Sequence, residues 1–157
     1  MSKPKIKIKR TFDYKKLARQ LPQVIADGLN EKAKWINLGI QDGINTGKDL
    51  DGKTFKKLSP VTLARRKKKM TGKTPLYETG KMSQTRIKRA KPSDLTATIF
   101  TKSKYGIYHN EGNPSMKLPK RKWFGVNKDN KPGGKYNLKS SKVIATKLHR
   151  AWRKKGI

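Results

Sequence analysis

LPQVIADGLNEKAKWINLGIQDGINT, Leu21 to Thr46, places Leu21, Ile25, Leu29, Ala33, Ile36, Ile40 and Ile44 at steps of four, four, four, three, four and four. This is the spacing of one helical face, because an α-helix turns once in 3.6 residues. It predicts a long helix that begins near Asp13 and stops at Asn45-Thr46-Gly47. Pro22 lies inside the pattern and has no N–H for the carbonyl of Ala18, so the helix either kinks there or starts near Leu21 after a short first helix. From Pro22 to Thr46 it would run about 37 Å, long for a small domain. Gly39 and Gly43, one turn apart, each cost about 1 kcal/mol in a helix interior and point to another backbone packed close on that side.

Working outward, PKIKIKR alternates Ile6 and Ile8 with Lys5, Lys7 and Lys9, the period of a strand with one basic face, and predicts an N-terminal strand within residues 1–12. Downstream, Lys48 to Phe55 is a turn-rich loop. Ser59-Pro60 then reads as an N-cap with Pro at the first helical position, opening a short helix to about Met70. That helix carries five consecutive cations, Arg65, Arg66, Lys67, Lys68 and Lys69. TRIKRA and LTATIFT, split by Lys91-Pro92-Ser93-Asp94, predict a hairpin. YGIYHNEG predicts one or two helical turns closed by Gly112. A last helix over about 140–157 would carry Ile144, Leu148 and Trp152 on one face. The fold class is α+β: a long N-terminal helix packed on a small antiparallel sheet, with a basic C-terminal helix, all in one domain spanning 1–157.

The chain has 41 Lys and Arg against 10 Asp and Glu, a formal charge of +31. Such a charge repels itself on compaction and implies something acidic nearby. Leu, Ile, Val and Phe supply 31 of 157 residues, just under the roughly 20% below which highly charged chains tend towards disorder. A thin core with well-patterned apolar residues favours a protein whose burial is completed by neighbouring subunits. The absence of cysteine excludes disulfides, thiol catalysis and Cys-based metal sites. No apolar run approaches the ~20 residues of a membrane span, and no apolar segment follows the basic start, so the expected home is the cytoplasm.

The inventory for catalysis is short. His109-Asn110-Glu111 is the one cluster to weigh, as a small metal-dependent nuclease site or as a helical turn in which Tyr105, Tyr108 and His109 pack on the sheet. Gly133-Gly134 lacks the spacing of a phosphate loop. No enzyme activity and no cofactor are expected. Basic density with Trp35, Trp123 and Trp152 leaves open a monomeric DNA- or RNA-binding protein. Lys117 to Gly125, KLPKRKWFG, sets four cations around one proline before two aromatics and a glycine, which suits a nucleic-acid clamp, a catalytic loop or a joint between subunits.

Four segments, in order, resemble the virion morphogenesis family of tailed bacteriophages, the tail-completion or head-tail joining proteins. DGKTFKKLSPVTLARRK (51–67) is similar to that family's Asp-Gly, aromatic, Leu-Ser, Thr-Leu, basic segment. LYETGKM (76–82) resembles its Leu-x-x-Thr-Gly-x-Leu, with Met82 in the apolar place. YGIYHNEG (105–112) resembles its Tyr-Ala-x-x-His-x-x-Gly, with Gly106 where Ala is usual, and KLPKRKWFGV (117–126) its Leu-Pro-x-Arg-x-Phe-Leu-Gly, with Trp123 and Phe124 in the aromatic and apolar places.

The resemblance implies a non-enzymatic homo-oligomeric ring in the virion, a hexamer ahead of a dodecamer, at the neck or head-proximal tail end. Its partners would be tail terminator or tube proteins, head connector proteins and the packaged DNA end. Within it the 117–125 stretch reads as a joint. Leu118 and Pro119 hold an extended start, Arg121 offers a planar fork to a carboxylate or to carbonyls, and Trp123-Phe124 fill a pocket before Gly125 turns the chain. That pocket belongs either to the same subunit or to the next. Arg65 to Lys69, with Lys147, Arg150, Arg153, Lys154 and Lys155, are the expected contacts to acidic partners or DNA.

Overall fold

The computed structural model describes residues 14–126 together with Thr146, His149, Arg150 and Arg153. Five elements follow the first helix, α1 (Tyr14–Thr46): α2 (Pro60–Lys68), a 3-10 turn (Lys81–Ser83), β1 (Thr85–Lys88), β2 (Thr98–Thr101) and α3 (Gly106–Glu111) complete the described order. The class is α+β, with a long helix against a two-stranded antiparallel sheet. The expected strand within 1–12 lies outside the described residues, as does most of the expected last helix. Of that helix, Thr146, His149, Arg150 and Arg153 are helical and exposed, whereas Lys147, Lys154 and Lys155 lie outside.

The first helix is 33 residues long and runs unbroken through Pro22, so it does not start near Leu21. Ala18, whose carbonyl loses its helical donor to Pro22, is exposed, and water can satisfy it. At the other end Gly47, at φ 74°, lets Lys48 donate its N–H back to the Gly43 carbonyl at 2.9 Å. This is the left-handed glycine stop in which orphan carbonyls of the last turn find donors. Gly43 is where the backbone comes close: a Cβ there would stand 2.8 Å from the Lys48 carbonyl oxygen.

The sheet packs on α1 and is fastened to it from Asn30 to Gln41. Its register pairs Thr85 with Thr101, Arg86 with Phe100, Ile87 with Ile99 and Lys88 with Thr98. Thr85, Ile87, Ile99 and Thr101 are the less exposed face, and the alternation follows from the two-residue period of a strand. Two amides of α1 fasten the hairpin. Asn30 donates to the Ala90 carbonyl at 3.0 Å and accepts from its N–H at 2.7 Å, and Gln41 donates to the Ser83 carbonyl and Thr85 hydroxyl, both at 3.3 Å.

Ile40 and Ile44 of α1 meet Leu50, Phe55, Leu76 and Trp123 in the main buried cluster, with Ile36, Met82, Ile99 and Phe124 packed around it. The expected apolar stripe of α1 is therefore buried at its C-terminal end and not throughout. Leu21 and Ile25 each remain 38% exposed, while Val24 and Ala26 are buried instead. The fastening amides begin at Asn30, so the buried face of α1 is set by the hairpin and by the loop after Gly47 rather than by the periodicity alone.

Candidate functional site

The stretch from Leu118 to Gly125 is woven into its own chain. Leu118 and Asn113 exchange backbone hydrogen bonds at 2.9 and 3.0 Å. The Arg121 N–H donates to the His109 carbonyl at 2.8 Å, and the Leu50 N–H donates to the Lys122 carbonyl at 3.1 Å. Asn110 accepts both the Trp123 and the Phe124 N–H on its Oδ1, each at 3.2 Å. Trp123 is 2% exposed, and its indole Nε1–H donates to the Gly106 carbonyl at 2.9 Å. The Phe124 ring leans on the indole with centroids 5.2 Å apart at 60°. Gly125, at φ 127°, turns the chain in a conformation that favours glycine.

Of the two pockets the sequence left open, these contacts place Trp123 in that of its own chain, with Arg121 buried beside it rather than offered outward. The pocket that Trp123 fills is made by α3, the loop after α1 and Leu76 of the same chain. A buried indole needs a partner for its N–H, and Gly106 provides both the carbonyl and the missing side chain. Arg121 is 4% exposed and donates from Nη2 to the Lys56 carbonyl at 3.2 Å.

The run Arg65 to Lys69 divides sharply. Ser59 caps α2 by accepting the Thr62 N–H at 3.2 Å, and the helix then turns a polar side inward. Arg66 is 6% exposed. Its Nη1 donates to the carbonyls of Gly72, Thr74 and Tyr77 at 3.0, 2.7 and 3.4 Å, and its Nη2 to that of Pro75 at 3.3 Å. Arg66 is thus a clamp on the loop after α2 and not a surface cation, because only a planar fork of donors reaches several converging carbonyls at once. Lys67, Lys68 and Lys69 are exposed, and Arg65 reaches Glu78 Oε2 at 3.4 Å. Outward on the same helix stand Val61, 81% exposed, and Leu63.

Arg66, Arg121 and His109 come together at a groove of about 1210 Å³ between α2, the Pro75–Gln84 segment, the end of β2, α3 and the Lys117–Arg121 stretch. Among the described residues that line it, ten are Lys or Arg and one, Glu78, is acidic. Glu78 Oε2 lies 3.4 Å from Arg66 Nε, a distance of ion pairing without hydrogen-bond alignment. Burial first, then the charges of Arg121 and Arg66, hold the His109 imidazole below its ordinary value of 6.5. Burial and then Arg66 push the Arg121 guanidinium down as well.

Leu118, Pro119 and Arg121 line this groove, whereas Trp123, Phe124 and Gly125 do not. Of the histidine cluster, His109 lines it, but Glu111 is exposed and outside it, two residues along a helix and so on another side. Among the described residues no group of three or more His, Cys, Asp or Glu is placed to hold a metal ion. Among them, too, no helix is long and apolar enough to cross a membrane.

Four participants carry no sequence signal of their own. Asn110 is one residue in an unremarkable polar cluster, and Arg66 is one cation among five. The rim lysines Lys102 and Lys104 sit in a loop that only the hairpin brings near α2. A search of family models, curated proteins and solved structures matched none of them to this chain.

Proposed function

We propose that the chain is a structural virion component of a tailed phage, assembling with copies of itself into a ring at the neck or head-proximal tail end and acting there in tail completion and head-tail joining. The observation that carries this reading is the outer face of α3. The helix is six residues long, yet Tyr105 at its cap, Ile107 and Tyr108 are 68, 58 and 44% exposed. Tyr105 and Tyr108, expected against the sheet, are thus left exposed. Clustered apolar surface of this kind marks contact with another protein, and a chain with so few core residues has reason to complete its burial that way.

The phage resemblance gains support from two further features. Its four segments contribute Phe55, Leu76, Gly106 and Trp123 to one body. Two of the departures from its pattern, Gly106 and Trp123 of the Trp123-Phe124 pair, are in contact, so one compensates the other, while the high positive charge remains a departure. On this reading the partners are tail terminator or tube proteins, head connector proteins and the packaged DNA end, and the site of action is the virion, reached from the host cytoplasm during assembly.

Native mass spectrometry at moderate salt tests it. The wild-type chain is expected as a closed multimer and Ile107→Asp as a folded monomer with the wild-type unfolding midpoint. The net charge of +31 favours a second reading, a monomer acting directly on DNA or RNA. A monomeric wild type, unchanged in mass by Ile107→Asp, would select it and remove the ring.

A further inference from the structure

The floor of the basic groove holds positive charge that the described residues leave uncompensated. Arg66 and Arg121 are both more than nine-tenths buried and both line the groove. Their one acidic neighbour in its lining, Glu78, is shared between Arg65 and Arg66 at 3.4 Å to each. Arg121 has the Lys56 carbonyl for Nη2, while its buried Nε has no hydrogen-bond partner, and neither has the buried Nδ1 of His109. A buried guanidinium with an idle donor is costly unless an anion meets it. Eight more cations surround these two, among them Lys102, Lys104 and Lys117 on the exposed rim.

We propose that this groove is the docking site for an extended acidic segment of a different protein, which sets one carboxylate on Arg121 at the floor and others on the rim lysines. Charge complementarity defines the occupant's sign, and the rest of the lining defines its class. Leu58, Leu76, Met82, Leu118 and Pro119 give the groove aliphatic surface, and among its described residues Tyr105 and the half-buried His109 imidazole are the aromatic rings. A single nucleic-acid strand is held mainly by stacking on several aromatics, whereas aliphatic contact beside an Arg fork suits a peptide that alternates carboxylates with small apolar side chains. The phosphates of a duplex lie on the outside of a cylinder too broad to reach a floor only 4 and 6% exposed. A second copy of this chain, itself at +31, is repelled from a basic groove. Of the face on which the ring reading rests, Tyr105 alone lines the groove, while Ile107, the residue that tests the ring, and Tyr108 lie outside it.

The probe is a capped synthetic peptide of alternating Glu and Leu, compared with its Gln-for-Glu counterpart and with an oligothymidylate, all on the full chain at physiological salt. Two variants remove the same charge. Lys102→Gln/Lys104→Gln/Lys117→Gln strips the rim, and Lys67→Gln/Lys68→Gln/Lys69→Gln strips exposed lysines of α2 and its cap that do not line the groove. The rim variant is expected to bind the acidic peptide roughly tenfold more weakly and the other within about twofold of wild type.

The His109 imidazole, identified by its loss in His109→Gln, supplies a readout inside the groove. Facing it are Arg66 from α2 and Arg121 from the stretch after α3, with Glu78 beside Arg66. A carboxylate arriving there moves its resonance and raises the pH at which it titrates, and the Gln peptide leaves it unmoved. Equal losses in the two variants with an unmoved His109 signal would mean diffuse attraction to any polyanion and would overturn the site. Displacement of the peptide by oligothymidylate, with a larger shift of the same resonance, would reassign the groove to single-stranded nucleic acid and overturn it equally.

Discussion

Gly106 and Trp123 are shaped for each other: a Cβ at Gly106 would come 2.8 Å from the indole Cζ2, and the Gly106 carbonyl accepts the indole N–H at 2.9 Å. A methyl group at 106 must displace a ring that is 2% exposed and closed in by Leu50, Phe55 and Leu76. Gly106→Ala is therefore expected to destabilise the chain by about 1–3 kcal/mol, the usual range for overpacking. In the Trp123→Phe background the smaller ring leaves room for the methyl, so the double-mutant cycle should show a coupling of about 1 kcal/mol. Additive losses in denaturant unfolding would mean that the two residues do not share this space.

Arg66 is the cation whose removal should be felt most. Arg66→Ala leaves the carbonyls of Gly72, Thr74, Pro75 and Tyr77 without their donors, and a loss of about 3 kcal/mol is expected. Arg66→Lys should recover only part of it, because an ammonium is a point and not a fork. Lys67→Ala, one position along and exposed, should stay within about 0.5 kcal/mol of wild type in the same unfolding experiment.

Stability should fall on acidification through His109. Its folded-state value lies below the ordinary 6.5, from burial and then from Arg121 and Arg66. The unfolded chain therefore binds a proton that the folded chain refuses in the interval between the two values, and unfolding free energy rises with pH there. The contribution is complete above about pH 6.5, declines as pH falls through that interval, and levels off below the folded value. His109→Gln should flatten this component relative to wild type in denaturant titrations across the interval, and identical slopes would remove His109 as its source.

Met70 sits at φ 53° while 94% exposed, just past the end of α2, where the Thr71 N–H returns to the Arg66 carbonyl at 3.1 Å. This is the left-handed position at which helices usually place glycine. A side chain there carries strain and has almost no packing to lose. Met70→Gly should raise the unfolding free energy by roughly 1 kcal/mol, and a decrease would show that Met70 makes a contact the exposed side chain does not suggest.

Much of the local structure is decided by a few neighbouring residues. Ser59 and Pro60 open α2 because a hydroxyl cap and a missing N–H suit a helix start. Gly47 and Gly112 close helices at positive φ, and the Lys91–Asp94 turn closes the hairpin with a backbone pair between its ends. The long period of α1 and the excess of positive charge are likewise legible without coordinates. Which side of an element is covered is another matter, because burial depends on residues far away in the chain. Asn30 meets Ala90, and Arg121 meets Lys56, across 60 and 65 positions. Only those encounters decide that Arg66 is inside while Lys67 is outside, that α3 turns Gly106 inward and Ile107 outward, and that Trp123 fills a space in its own chain. Local pattern assigns an element's type from its neighbours' spacing and chemistry, but a side chain's surroundings are set by which distant surfaces compete to exclude water from it.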